Sequence, residues 1–166
     1  MEQAHTVYIA LGSNMGDRLG YCQTGIAALT ESGKCTLKAQ SPYYLTEPVD
    51  YKEQDWFLNA VIKIKTSFEP TQLLELLQEI QRNSGRKSDV IRFGPRVLDL
   101  DIIFYDDLIF KTADLEIPHP RMHKRRFVLK PICDIDPKTI HPILKKDVRY
   151  LLDSLHANDQ KTILYK

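Results

Sequence analysis

Cysteine is scarce in this chain of 166 residues: Cys22, Cys35 and Cys133 are odd in number, far apart and free of any C-x-x-C pair. That argues against a disulfide framework and for reduced thiols acting as small hydrophobes in a cytosolic protein. No basic-then-apolar leader follows Glu2, so a cytoplasmic location is expected. Apolar runs such as Ile102–Tyr105 are short, and none approaches the roughly 20 residues of a membrane helix. Charge of one sign is also missing, with 23 Lys and Arg against 22 Asp and Glu, a net charge of +1. A protein that coats nucleic acid is usually more basic, so neither a nucleic-acid nor a membrane partner is expected, and any anion site must be a local cluster. There is no G-x-x-x-x-G-K-[ST]: Gly12-Ser-Asn-Met-Gly16 lacks the lysine of a P-loop. There is no kinase H-R-D or D-F-G set either. Repeats, low-complexity stretches and Gly/Ser linkers are absent, which predicts one domain over 1–166 and, in the simplest case, a monomer.

What is present is ordinary for a globular chain: 43% hydrophobic and 27% charged residues, in a length that buries roughly 70% of the unfolded surface. Thr6–Leu11 is apolar and β-branched and stops at the turn cluster Gly12-Ser13-Asn14, which predicts a strand. Leu19, Cys22, Ile26 and Leu29 follow helical spacing from Asp17 to Thr30, with Asn14 or Asp17 as the cap. Cys35–Leu45 reads as a strand that Pro42 confines to an edge. Trp56–Thr66 alternates, placing Phe57, Asn59, Val61 and Lys63 on one face and Leu58, Ala60, Ile62 and Ile64 on the other. Pro70 opens a helix with a Leu-rich face that runs to about Arg82. Val97–Tyr105 is the next strand, with Leu98, Leu100, Ile102 and Phe104 facing one way. The order is β-α-β-β-α-β, an α+β, ferredoxin-like antiparallel sheet with helices packed on it. From Asp106 onward a C-terminal extension holds a hairpin, the basic segment Pro118–Lys130, a helix near Val148–Leu155 and a terminal strand.

Asp99 and Asp101, at i and i+2 on a strand, project to one face about 6.6 Å apart at the backbone. Two convergent carboxylates suit one or two Mg²⁺ shared with a substrate phosphate; a strand face that merely meets water is the plainer alternative. Arg82, Arg86, Lys87, Arg92 and Arg96 precede the pair, and His119, Arg121, His123, Lys124, Arg125, Arg126 and Lys130 follow it. A triphosphate at about −4 with two aspartates still leaves about −2 after two Mg²⁺, so the arginines and their forked donors are needed. Phe57 beside Asn59 suits stacking on, and reading, a flat heterocycle, or forms part of a half-buried sheet face.

The block Arg92-Phe-Gly-Pro-Arg-Val-Leu-Asp-Leu-Asp-Ile102 closely resembles the signature of the 6-hydroxymethyl-7,8-dihydropterin pyrophosphokinases of folate biosynthesis. The resemblance extends to Leu11-Gly-Ser-Asn-Met-Gly-Asp17, Thr46-Glu-Pro-Val49, Phe57-Leu-Asn59, Gly85-Arg86, Ile117-Pro-His-Pro-Arg-Met122 and Arg125-Arg-Phe127. It implies a ferredoxin-like fold and transfer of pyrophosphate from ATP to the pterin hydroxymethyl group, with release of AMP. It further implies two Mg²⁺ on Asp99 and Asp101, with Arg86 and Arg96 closing on the triphosphate. Gln78, Arg92, Ile102, His119 and Arg125 would contact ATP. Phe57 and Phe127 would sandwich the pterin, while Asn59 and the backbone near Thr46 and Val49 would read its amide edge. Phe57 stands where relatives often have Tyr, Phe93 where Trp is common, and Val97 for a frequent Thr. Gln81, Ser88 and Pro120 stand where a relative has Glu, Arg and Tyr. A nucleic-acid-binding module and a non-catalytic ligand sensor are the rival classes; the aspartates would repel a nucleic-acid backbone, and a sensor needs no carboxylate pair beside arginines.

Overall fold

A continuous apolar run, Val7–Leu11, makes His5–Ser13 the strand β1, and its burial on both faces places it inside the sheet. The computed structural model describes residues 4–48, 52–85, 96–156 and 160–166. β1 pairs antiparallel with β4 (Phe57–Thr66) on one side and with β5 (Asp99–Tyr105) on the other. β2 (Cys35–Gln40) and β3 (Tyr44–Thr46) both pair with β4, and β8 (Thr162–Leu164) pairs with β3. The helices α1 (Arg18–Glu31) and α2 (Pro70–Asn83) cover one face. This is the expected α+β, ferredoxin-like arrangement.

Local chemistry accounts for the helix starts. Asp17 caps α1 by accepting from the Gly20 N–H at 3.1 Å, and Pro70 at the first position of α2 loses no hydrogen bond there. Gln72 folds back to accept the Glu69 N–H at 2.9 Å. Beneath the helices lies a core of Val7, Ile9, Leu11, Ala60, Ile62, Ile64, Leu98, Leu100 and Ile102 against Cys22, Ile26, Leu29, Leu73, Leu77 and Ile80. Each large member contributes roughly 1.5–3 kcal/mol by leaving water.

The structure departs from three of the expectations. The strand over Cys35–Leu45 is broken at Ser41–Tyr43, because Pro42 has no N–H for a ladder. Ser41 spans the break, donating its N–H to Val61 O and accepting the Val61 N–H on its hydroxyl. Its second half is not an edge, since β8 closes it. Phe104 does not share a face with Leu98, Leu100 and Ile102: a register shift between Tyr8 and Ile9 turns it to the opposite side. The basic segment contains a helix, α3 (Arg126–Ile135), despite an internal Pro131.

α3 and α4 (Val148–Asp153) pack Val128, Leu129, Ile132, Cys133, Val148, Leu151 and Leu152 against Tyr8, Val61, Ile103 and Phe104. The extension therefore covers part of the second sheet face and leaves the ends of β1, β4 and β5 to the site. The hairpin of β6 (Phe110–Lys111) and β7 (Glu116–Ile117) leads into that extension.

Gly25 sets how closely α1 approaches the sheet. A Cβ there would stand 2.7 Å from Leu98 Cδ2, and Leu98 is fully buried. On an exposed helix Gly→Ala is worth about +1 kcal/mol. Here the sign reverses, and Gly25→Ala is expected to cost about 1–3 kcal/mol through overpacking. A denaturant double-mutant cycle with Leu98→Val should show the two changes compensating; additive losses would refute this contact.

Candidate active site

The strand register builds the site. Gly12 of β1 is the cross-strand partner of Asn59 on one side and of Asp99 on the other. Ala10 likewise lies between Val61 and Asp101. Directly paired residues point to the same face, so Asn59, Gly12 and Asp99 form one row, with the amide and the carboxylate two strand spacings apart, about 10 Å. The floor between them is glycine and alanine, and it lies on the face opposite α1 and α2. A Cβ at Gly12 would fall 2.1 Å from Asn59 Oδ1 and 3.2 Å from its Cγ, so only glycine lets the amide lie in this row. Asn59 donates to Thr46 Oγ1 at 2.5 Å, both residues being buried, and Phe57 pairs with Thr46 at the mouth of β4.

Asn14, 3% exposed, ties two flanking segments to the end of β1. Its N–H donates to Arg96 O at 3.0 Å, and its Oδ1 accepts the Arg96 N–H at 2.8 Å. Its Nδ2 donates to Gln54 Oε1 and to Asp55 O, each at 2.9 Å. Arg18 adds a bond to Trp56 O at 3.0 Å. Arg96 is thus pinned by its backbone three residues before Asp99. The sequence analysis used Asn14 only as a possible helix cap. Its turn position gave no sign that a buried amide would serve two loops.

On the far side of β5, the His119 N–H donates to Ile103 O at 3.0 Å, which holds the Pro118–Pro120 segment against the sheet edge. His119 Nδ1 accepts the Arg121 N–H at 3.2 Å, so its proton sits on Nε2. Burial, then the charges of Arg125 and Arg121, push the imidazole down to about 4. At neutral pH His119 is an uncharged N–H donor beside two arginines. The Arg125 guanidinium lies over the Phe127 ring, 5.4 Å from its centroid.

Other expected residues fall differently. Gln78 is exposed on α2, while Gln81 is buried and its Oε1 accepts the Leu100 N–H at 2.6 Å. The Ile102 side chain is in the helix-side core, so any nucleotide contact there falls to its main chain. Val49, Arg86 and Arg92 lie outside the described residues. Asp99 is half-buried and Asp101 exposed. Among the described residues no group of three His, Cys or carboxylate side chains could hold a metal ion. Two carboxylates are too few for a resident centre but fit Mg²⁺ whose other oxygens come from water and a phosphate.

Comparison with known proteins decides the family. Residues 8–137 match the family model described as 7,8-dihydro-6-hydroxymethylpterin-pyrophosphokinase. The chain belongs to that family. It is therefore an enzyme of the pyrophosphokinase class. A 2-amino-4-hydroxy-6-hydroxymethyldihydropteridine pyrophosphokinase of Bacillus subtilis is 46% identical over 77% of the chain and 76% of its own length. One from Aquifex aeolicus is 38% identical over 87% and 88%. A folic acid synthesis protein of Dictyostelium discoideum is 44% identical over 83% of the chain, which spans only 20% of that longer relative. Among solved structures, a Plasmodium falciparum HPPK-DHPS with pteroate superposes with a TM-score of 0.71 at 15% identity. That match covers 92% of the chain and 42% of the larger protein, and it supports the fold.

Two outcomes are expected from this geometry. Gly12→Ala should displace the Asn59 amide, break its bond to Thr46 and cost about 1–3 kcal/mol of stability; an unchanged denaturation midpoint would refute the row. His119 binds a proton more readily unfolded than folded, so its stability contribution is present above about pH 6.5 and lost as pH falls towards 4. His119→Asn should flatten the acid limb of a stability–pH curve in that window, and an unchanged limb would count against a neutral buried imidazole.

Proposed function

We propose that the chain transfers the terminal pyrophosphate of ATP, as one unit, to the hydroxymethyl group of 6-hydroxymethyl-7,8-dihydropterin, releasing AMP. The observation that carries this reading is the row Asn59–Gly12–Asp99. An amide and a carboxylate on one floor, separated by roughly the length of a flat bicyclic substrate, support a reading in which the first meets the heterocycle and the second the phosphates.

Asn59 and Thr46 read the amide edge of the pterin, and Phe57 and Phe127 hold its faces. The same chemistry is open to the backbone at Val49. The hydroxyl oxygen attacks the β-phosphorus and forms the new O–P bond. The bond from that phosphorus to the α,β-bridging oxygen breaks, the oxygen leaves with AMP, and the hydroxyl proton passes to solvent. Asp99 and Asp101 would hold two Mg²⁺, which when bound neutralise the phosphate oxygens and favour ionisation of the hydroxyl. Arg96 and Arg86 balance the remaining charge, and Arg92, Arg125, Gln78 and the main chain of Ile102 position the nucleotide. Neutral His119 offers an Nε2–H to a phosphate oxygen without adding charge. Transfer of this kind is mostly positioning and charge neutralisation, and the pinned segments at Gln54–Trp56 and Arg96 supply positioning.

No helix of the described residues is long and apolar enough to cross a membrane. We take the chain as a single domain acting as a cytoplasmic monomer on its two small substrates, without nucleic acid or membrane.

The decisive assay is AMP release from ATP and Mg²⁺ with and without the pterin. AMP should appear only with the pterin, and its absence in a folded sample that still binds pterin would refute catalysis in favour of a sensor. Asp99→Ala and Asp101→Ala should each abolish Mg²⁺-dependent turnover and leave folding intact. Arg96→Ala should slow turnover by about 10²–10³-fold, as expected when one transition-state charge contact is lost. A near-normal rate in either aspartate variant would remove the metal assignment.

A further inference from the structure

Gln81 is an amide on an otherwise apolar stripe. It shares the buried side of α2 with Leu73, Leu77 and Ile80, and is 6% exposed. A buried amide is costly unless bonded. Its Oε1 meets the Leu100 N–H, which lies between the two aspartates. β5 ends the sheet, and its ladder with β1 runs through Asp99 to Gly12 and Asp101 to Ala10. The intervening N–H points to the open edge, where no further strand pairs with it among the described residues. Backbone donors in such a place need a partner.

We propose that Gln81 is a positioning residue for Asp99 and Asp101. It replaces the missing neighbouring strand at the Asp99–Leu100 peptide, one of the two that join them, and so fixes the orientation of both carboxylates. As a neutral amide it does this without placing a third negative charge beside them. The inference rests on the proposed role of the aspartates in holding a metal–nucleotide, and it assigns to α2 a task separate from packing.

The test compares Gln81→Leu and Gln81→Glu with the unmodified protein. Four quantities are read: amide exchange at Leu100, Mn²⁺ affinity with a non-hydrolysable ATP analogue, pterin affinity, and kcat. Gln81→Leu is expected to speed Leu100 exchange and to weaken Mn²⁺ binding and kcat by about 10–100-fold, the usual loss when a ligand's support is removed. Pterin affinity should be unchanged. Gln81→Glu keeps an acceptor for the Leu100 N–H and should restore its protection and most of the metal affinity. Unaltered Mn²⁺ affinity in Gln81→Leu overturns the proposal. So does an equal fall in pterin and Mn²⁺ affinity that Gln81→Glu fails to rescue, because that is a packing defect. If the unmodified protein binds no Mn²⁺ with the nucleotide, the proposed role of the aspartates fails first, and the Leu100 exchange data show whether the hydrogen bond itself exists.

Discussion

The site depends on the saturation of one buried amide. Asn14 gives its backbone N–H to Arg96 and both protons of its side chain to Gln54 and Asp55, while its oxygen takes the Arg96 N–H. A buried polar group of this kind is stable only when fully bonded, so each lost partner raises the cost of keeping the others. The arrangement makes the loop before β4 and the segment before β5 conditional on one another. Phe57 and Asn59 start just after the first, and Asp99 and Asp101 just after the second. Asn59 and Asp99 are thereby registered to the same strand end.

Much of this was legible. A β-branched apolar run gave β1, alternation gave β4 with its two faces, Pro70 gave the start of α2, Asn14 or Asp17 the start of α1, and the D-x-D spacing put both carboxylates on one side. These signals are local: each needs only a period, a cap or a missing N–H. What could not be read depends on pairing across the chain. Phe104 changes face because β5 carries one extra residue, Ile103, between the partners of Tyr8 and Ile9, and no local pattern around Phe104 records that bulge. β3 is covered by a strand more than 100 residues later. α3 carries Pro131, which argues against a helix on propensity alone, and forms because Val128, Leu129, Ile132 and Cys133 find a sheet face to cover. The functional weight of Gly12 was equally hidden, since a turn glycine and a floor glycine look alike until Asn59 and Asp99 are known to flank it. Val49, Arg86 and Arg92 rest on the family resemblance, whereas the placement of Asn59, Asp99 and Arg96 rests on the fold.

The two side chains that come with the contacts to the open edge of β5, those of Gln81 and His119, are neutral. His119 has its imidazole pushed down by burial and by Arg125 and Arg121, so it donates without titrating near neutral pH. Gln81 supports β5 with an amide. Beside Arg121 and Arg125 a neutral donor adds no further charge to the cluster.

Placing the carboxylates on an end strand has a structural consequence. An end strand leaves one side of its residues uncovered, but the same position leaves backbone groups without a strand partner. The protein meets that cost with contacts from outside the sheet: Gln81 takes the Leu100 N–H and the His119 N–H takes the Ile103 carbonyl. The first comes from α2, the second from the segment that carries the basic cluster. A strand neighbour would have satisfied the same groups, but it would have filled the space beside the aspartates. Side-chain and single-residue contacts leave that space open while holding the strand, so the edge of this sheet is both bonded and accessible where the two aspartates stand.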